Sequence, residues 1–155
     1  MFATLVVLAL TVPAEPPKEK AAPLPEAAQK ELDRLQGKWK LVLAVRDGKE
    51  EKFGKDDPEL IGEFKGGKWL FTDVEKAEVV ALDPKAEHKT IDLKSLEKAR
   101  GDDVVDEAIF KLDGNTLTIC LYQGKGKNRP TEFDTKKNSD TILLVLERVP
   151  EKPKK

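Results

Sequence analysis

The feature of this sequence that most constrains its fold is a series of short segments in which apolar side chains recur at every second residue. Between residues 39 and 45, Trp39, Leu41, Leu43 and Val45 would share one face of an extended strand, because successive strand side chains point to opposite faces. Other alternating segments, or apolar runs of strand length, are 60–65, 68–72, 74–82, 90–93, 105–112, 115–122 and 141–148. A weaker segment leads to Phe53. The chain is therefore predicted to consist mainly of short strands.

Turn sequences separate these segments. Asp47-Gly48, Gly66-Gly67 and Asp113-Gly114 are typical of tight hairpins. Because nearly every connection is short, about eight or nine strands should follow one another in up-and-down order. The predicted fold class is all-β: an antiparallel up-and-down β-barrel of about eight strands.

A short helix is predicted before the first strand. Ala28, Leu32 and Leu35 fall at helical spacing, and Gly37 suits the position that follows a helix. The polar segment 95–100 is expected to form at most one further helical turn.

The N-terminal segment has the composition of a secretory signal peptide. Residues 2–12 form an uncharged apolar run of h-region length, and Val12-Pro13-Ala14 offers a small-residue cleavage site. No basic residue follows Met1, so the basic n-region is missing, and a buried N-terminal strand is the alternative. The predicted organisation is a signal peptide at 1–14, a Pro-rich linker at 15–25, a barrel domain at 26–149 and a solvated tail at 150–155. The mature protein is expected to be exported, to the periplasm or beyond, without an integral membrane segment.

The charge balance excludes one class of partner. The chain has 155 residues, enough for one domain, and its 28 Lys and Arg nearly balance its 29 Asp and Glu, for a net charge of −1. Broad electrostatic binding of nucleic acid needs clustered positive charge, so no nucleic-acid partner is predicted. Cys120 is the single cysteine and is interpreted as a small strand residue.

The start and the end of the predicted barrel resemble the lipocalin pattern. Gly37-Lys38-Trp39 opens the first strand after a helix, and Arg148 closes the last strand. In lipocalins the Trp plugs one end of the barrel and a basic residue packs over its indole, so structural roles are expected for Gly37, Trp39 and Arg148. A ring fills volume that aliphatic side chains would leave empty, and a guanidinium over it adds cation–π attraction.

A closer resemblance covers nearly the whole mature chain. The segments LQGKW (35–39), LDGNTLTICL (112–121), RPTEF (129–133) and LVLER (144–148) are similar to an uncharacterised lipocalin-like domain family that is expanded in planctomycete bacteria. This resemblance implies a lipocalin-like barrel, usually exported, and no established activity.

The candidate ligand-contacting residues are Tyr122, Arg129, Glu132 and Phe133. In one reading, Arg129 and Glu132 lie at the barrel mouth as polar contacts for a ligand. In the other, the segment is a structural loop in which Phe133 tucks under and Arg129 pairs with Glu132 or caps carbonyl groups.

No catalytic residue, metal ligand or cofactor is predicted. His88 is the single histidine and has no evident nucleophile or acid beside it, and no metal-ligand spacing is present. The leading hypothesis is a non-enzymatic binding module that holds a small, partly apolar or amphipathic ligand at the barrel mouth. The alternative is a protein–protein interaction or scaffold domain with a filled barrel.

Overall fold

The chain forms a single antiparallel sheet that closes on itself in the computed structural model, which describes residues 22–101, 103–137 and 139–151. The predicted signal peptide, most of the predicted linker and residues 152–155 of the predicted tail lie outside these described residues. Within the described residues, no helix is long and apolar enough to cross a membrane.

In the part of the chain that the structure describes, one α-helix and nine strands make up most of the regular structure. The helix α1 spans Glu26–Leu35. The strands are β1 (Gly37–Arg46), β2 (Lys49–Lys52), β3 (Ile61–Lys65), β4 (Lys68–Phe71), β5 (Val74–Asp83), β6 (Lys89–Ser95), β7 (Val105–Asp113), β8 (Thr116–Tyr122) and β9 (Thr141–Arg148). A 3₁₀ turn at Lys98–Arg100 lies between β6 and β7, where one helical turn was predicted.

The sheet is an eight-stranded barrel, because β2 and β3 share one strand position. β2 pairs with the second half of β1, and β3 pairs with its first half. From β3 to β9 each strand pairs with the next, and β9 pairs back onto β1 along nearly its whole length. The predicted all-β, up-and-down barrel with a preceding helix is confirmed.

Trp39 fills the closed end of the barrel, as the sequence predicted. Its side chain is fully buried, and its indole nitrogen donates a hydrogen bond of 2.8 Å to the Leu35 carbonyl at the end of α1. The Arg148 guanidinium carbon lies 4.1 Å from the Trp39 ring centroid. Arg148 also donates to the carbonyls of Arg34 (2.7 Å) and Gln36 (2.8 Å), which the helix itself leaves without partners. Gly37, with φ of 108°, makes the turn from helix to strand.

The helix covers this end of the barrel. Ala28, Leu32 and Leu35 belong to the same buried cluster as Trp39. Glu31 ties α1 to the start of β6 through an ion pair of 2.6 Å with Lys89. The end where α1 sits is therefore covered, and the opposite end of the barrel lies near Arg46, Ser95 and Thr141.

A second apolar cluster lies on the outside of the barrel wall. Ile109, Cys120 and Leu143 are buried there against Val45, Phe133 and Val145. The prediction that Leu43 and Val45 share the face of Trp39 and Leu41 is therefore wrong, because a β-bulge between Leu41 and Leu43 reverses the alternation of β1. The long connection between β8 and β9 supplies Phe133 and covers this wall. This explains why β9 is apolar on both faces: Leu144 and Leu146 face the interior, and Leu143 and Val145 face the covering loop.

Candidate functional site

The barrel interior is filled at its closed end and hollow at its open end. Trp39, Phe64, Phe110, Leu117 and Leu146 occupy the closed end and are almost completely buried. Towards the open end lies a cavity of about 390 Å³. Its walls are mostly apolar: Leu41, Ala44, Leu60, Trp69, Phe71, Ala77, Leu93, Leu121, Ile142 and Leu144. A volume of this size lies within the range typical of small-molecule sites.

Trp69 and Phe71 form the aromatic wall of the cavity. They project from alternate positions of β4, and their ring centroids are 6.5 Å apart. Trp69 also packs against Phe64 below it, with centroids 4.7 Å apart. The Trp69 ring lies over Gly62 of β3, where an added Cβ would come within 1.9 Å of a ring carbon. Gly62 is therefore the residue that lets Trp69 lie flat against the wall.

Gly62→Ala should displace the Trp69 ring and change the shape of the cavity. The new methyl group cannot coexist with the ring, and overpacking of this kind costs about 1–3 kcal/mol of unfolding free energy. The indole NMR resonance of Trp69 should shift. Gly54→Ala is the matched control, because a Cβ there would meet Asp57 at an ordinary 3.7 Å. An unmoved Trp69 resonance in Gly62→Ala would contradict this account of the wall.

Lys76 reaches the cavity because of a β-bulge. Trp69 pairs with Ala77 and Leu70 pairs with Glu75, so Lys76 is the extra residue between them on β5. Its ammonium forms an ion pair of 2.6 Å with Glu97, which follows β6. Hydrogen bonding to Lys76 is the main cause that lowers the pKa of Glu97, and the Arg100 charge lowers it further.

Arg100 and Asp106 form a second ion pair at the mouth. Asp106 stands on the inner face of β7, and its side chain is only 9% exposed. The 3₁₀ turn brings Arg100 over it, and the two guanidinium nitrogens donate to the two carboxylate oxygens at 2.6 and 2.7 Å. The hydrogen bond to Asp106 raises the pKa of Arg100, although burial acts in the opposite direction. This bidentate pair closes part of the mouth and neutralises an acidic group that the barrel would otherwise bury alone.

A polar hollow of about 320 Å³ continues the cavity outwards. The two spaces share Glu97, Arg100 and Gln123 as walls. Arg46 donates to the Gln123 side-chain oxygen at 3.1 Å across this hollow. From solvent inwards, the order is thus the polar hollow, then the Lys76–Glu97 and Arg100–Asp106 ion pairs, then the apolar cavity.

The structure places Arg129 and Phe133 on the outer wall of the barrel. Arg129 donates to the Ala108 carbonyl at 2.9 Å and forms ion pairs with Asp92 (2.6 Å) and Glu107 (3.6 Å). Phe133 packs edge-on to His88, 5.2 Å between centroids, and beneath the Lys111 ammonium. These contacts are those of a loop anchored to the barrel wall.

Glu132 and Tyr122 lie apart from the interior cavity. Glu132 pairs with Lys136 at 3.2 Å, four residues along its own loop, and not with Arg129. Tyr122 lies over Gly124, and its hydroxyl donates to the Lys125 carbonyl at 3.2 Å. Tyr122, Arg129 and Glu132 do border one shared hollow, of about 370 Å³, on the outside of the loop. Ligand contact by these residues stays a prediction.

Four charged residues of the mouth were missed in the sequence: Lys76, Glu97, Arg100 and Asp106. Asp106 could have been found by alternation. It lies two residues before Ala108, so it belongs to the same inward-facing series as Ala108, Phe110 and Leu112. An acidic residue on an inward face marks a polar site in a barrel.

Neither Cys120, the single cysteine, nor His88, the single histidine, lines the cavity. Cys120 is fully buried on the outer wall, and burial raises the pKa of its thiol to about 11. His88 contacts Phe133 outside the barrel. Across residues 22–101, 103–137 and 139–151, no three His, Cys, Asp or Glu side chains are grouped so as to hold a metal ion.

Fold and cavity together define a class: a small up-and-down antiparallel barrel, sealed by a helix at one end and hollow at the other, consistent with a lipocalin-like fold. Comparisons of the chain with protein-family models, with curated proteins and with solved structures found no match.

Proposed function

We propose that this protein is an exported, non-enzymatic lipocalin-like binding module, akin to the planctomycete family that its motifs resemble, and that it holds one small, partly apolar molecule in the barrel. The observation that carries the proposal is the cavity of about 390 Å³ between the filled closed end and the charged mouth. Its apolar walls favour an aliphatic or aromatic body, and its polar mouth favours a polar head.

The expected affinity is moderate. Each buried CH₂ contributes about 0.8 kcal/mol, so a ten-carbon chain contributes about 8 kcal/mol before the cost of association, which is several kcal/mol, is subtracted. A net of about 4 kcal/mol corresponds to a dissociation constant of about 1 mM for the chain alone, and contacts of the head group would lower it. A binder of this strength suits a carrier or sensor that must release its ligand.

A binding role without catalysis is supported by the chemistry of the walls. The described residues that line the cavity include no Ser, Thr, Cys or His. Its two carboxylates, Glu97 and Asp106, are each held by a cation. Such groups suit recognition of a ligand better than attack on it.

The neutral probe N-phenyl-1-naphthylamine should bind to the wild-type protein with one-to-one stoichiometry and gain fluorescence. Ala77→Phe fills the cavity from β5, where Ala77 is 6% exposed, and should weaken probe binding about tenfold or more without unfolding the barrel. Ala81→Phe is the matched control, because Ala81 is exposed on the same strand. A probe that fails to bind, or binds equally to all three proteins, would favour the scaffold alternative.

A further inference from the structure

We propose that the preferred ligand carries a carboxylate, which binds Lys76 and Arg100 at the mouth by taking the place of Glu97. This inference rests on the proposed function and names the chemical class of the ligand. In the free protein, Glu97 acts as an internal counter-ion that occupies the ligand's head-group position.

The two cations retain unused hydrogen-bond donors. A lysine ammonium has three donors, and Lys76 makes its one ion pair in the described part of the chain with Glu97. A guanidinium has five, and the hydrogen bonds of Arg100 among the described residues use Nη1 and Nη2, both towards Asp106. Both residues line the same cavity, so an anion between them would gain charge-assisted hydrogen bonds from both.

The position of Glu97 shows that a carboxylate fits there. Its carboxylate is bonded to Lys76 and also lies in the field of Arg100, since both cations lower its pKa. A ligand carboxylate that replaces it would enter the same field, with its apolar body directed towards Trp69 and Phe71.

Of the two acidic residues that line the cavity, Glu97 is the one that is free to leave. Its side chain is 40% exposed, and it sits on the connection between β6 and the 3₁₀ turn, from which it can rotate into solvent. Asp106 is held on a strand, is 9% exposed, and has both oxygens bound to Arg100. An ammonium head group would have to compete with Arg100 for Asp106, whereas a carboxylate has to displace only an exposed pair.

Three ten-carbon probes that differ only in the head group test this. At about pH 8, where the carboxylate is ionised and the amine is protonated, decanoate should bind several-fold more tightly than 1-decanol, and decylammonium should bind least, by displacement of the fluorescent probe. Glu97→Gln should increase decanoate affinity about two- to fivefold, because the competing charge of an exposed pair is gone. Affinity for 1-decanol should not change.

Matched variants separate the local effect from net charge. Glu26→Gln removes the same charge from an exposed pair with Lys30 on α1, at the closed end, and should leave decanoate binding unchanged. Lys76→Met should weaken decanoate about five- to tenfold. Lys68→Met, on the outer side of the adjacent strand, should not. If Lys76→Met fails to fold, the increase in Glu97→Gln still decides the question, because that side chain is exposed.

The outcomes distinguish the two proposals. If none of the three probes binds, the proposed function itself fails. If 1-decanol binds as tightly as decanoate and Glu97→Gln changes neither, the cavity binds ligands but the carboxylate inference is wrong. Tightest binding of decylammonium would also overturn it.

Discussion

Trp39→Ala should lower the free energy of unfolding by about 3–5 kcal/mol, the usual cost of truncating a large buried aromatic residue. The indole is fully buried at the closed end, and its hydrogen bond to Leu35 holds the last turn of the helix. Removing it leaves a void beneath α1 and frees one carbonyl. Urea or thermal unfolding followed by far-UV circular dichroism measures the loss.

Arg148→Ala should cost about 2 kcal/mol, more than ring stacking alone would contribute, because two helix carbonyls also lose their partner. The Trp39→Ala/Arg148→Ala double variant should lose less than the sum of the single losses, since the two side chains are in contact. Arg46→Ala, at the opposite end of the same strand pair, is the control and should cost under about 0.5 kcal/mol. Strict additivity would show that the stacking contributes nothing.

Arg100→Ala should lower the free energy of unfolding by about 2–3 kcal/mol. Asp106 would be left nearly buried without its partner, and breaking such a pair from one side is costly. The expected value is below that of a fully buried pair, because Arg100 is 27% exposed. Since the pKa of Arg100 is raised, the contribution of its charge is fully present at neutral pH and is lost as the pH rises through that pKa, in strong alkali.

The neighbouring pair of Lys94 and Asp103 provides the control for this prediction. It lies at the same β6–β7 connection, but Asp103 is 92% exposed, and Lys94→Ala should therefore cost under about 0.5 kcal/mol. Both variants are measured in the same urea titration. Equal losses of unfolding free energy in Arg100→Ala and Lys94→Ala would show that the Arg100–Asp106 pair stabilises the fold no more than an exposed pair does.

Local patterns were sufficient to predict the barrel and its closed end. Alternation located the strands to within about two residues, and the position of Trp39 on the inward face followed from its alternation with Leu41. The stacking of Arg148 was also predictable, because a closed barrel must bring its last strand against its first.

The mouth was harder to predict because its geometry depends on irregularities that leave no periodic pattern. Lys76 points into the cavity through a one-residue bulge, which strict alternation would place on the outside. Arg100 arrives from a short turn whose position over Asp106 is a tertiary contact. Arg129, in contrast, was conspicuous as a motif, yet its contacts hold a loop against the outer wall.

The most direct test of a ligand chamber in the open half of the barrel is an isotope-filtered NOESY spectrum of the labelled protein with unlabelled 1-decanol. The account predicts intermolecular NOEs from the alkyl chain to the rings of Trp69 and Phe71 and to the methyl groups of Leu121. NOEs confined to Phe133 and His88 on the outer wall, or none at all, would contradict it.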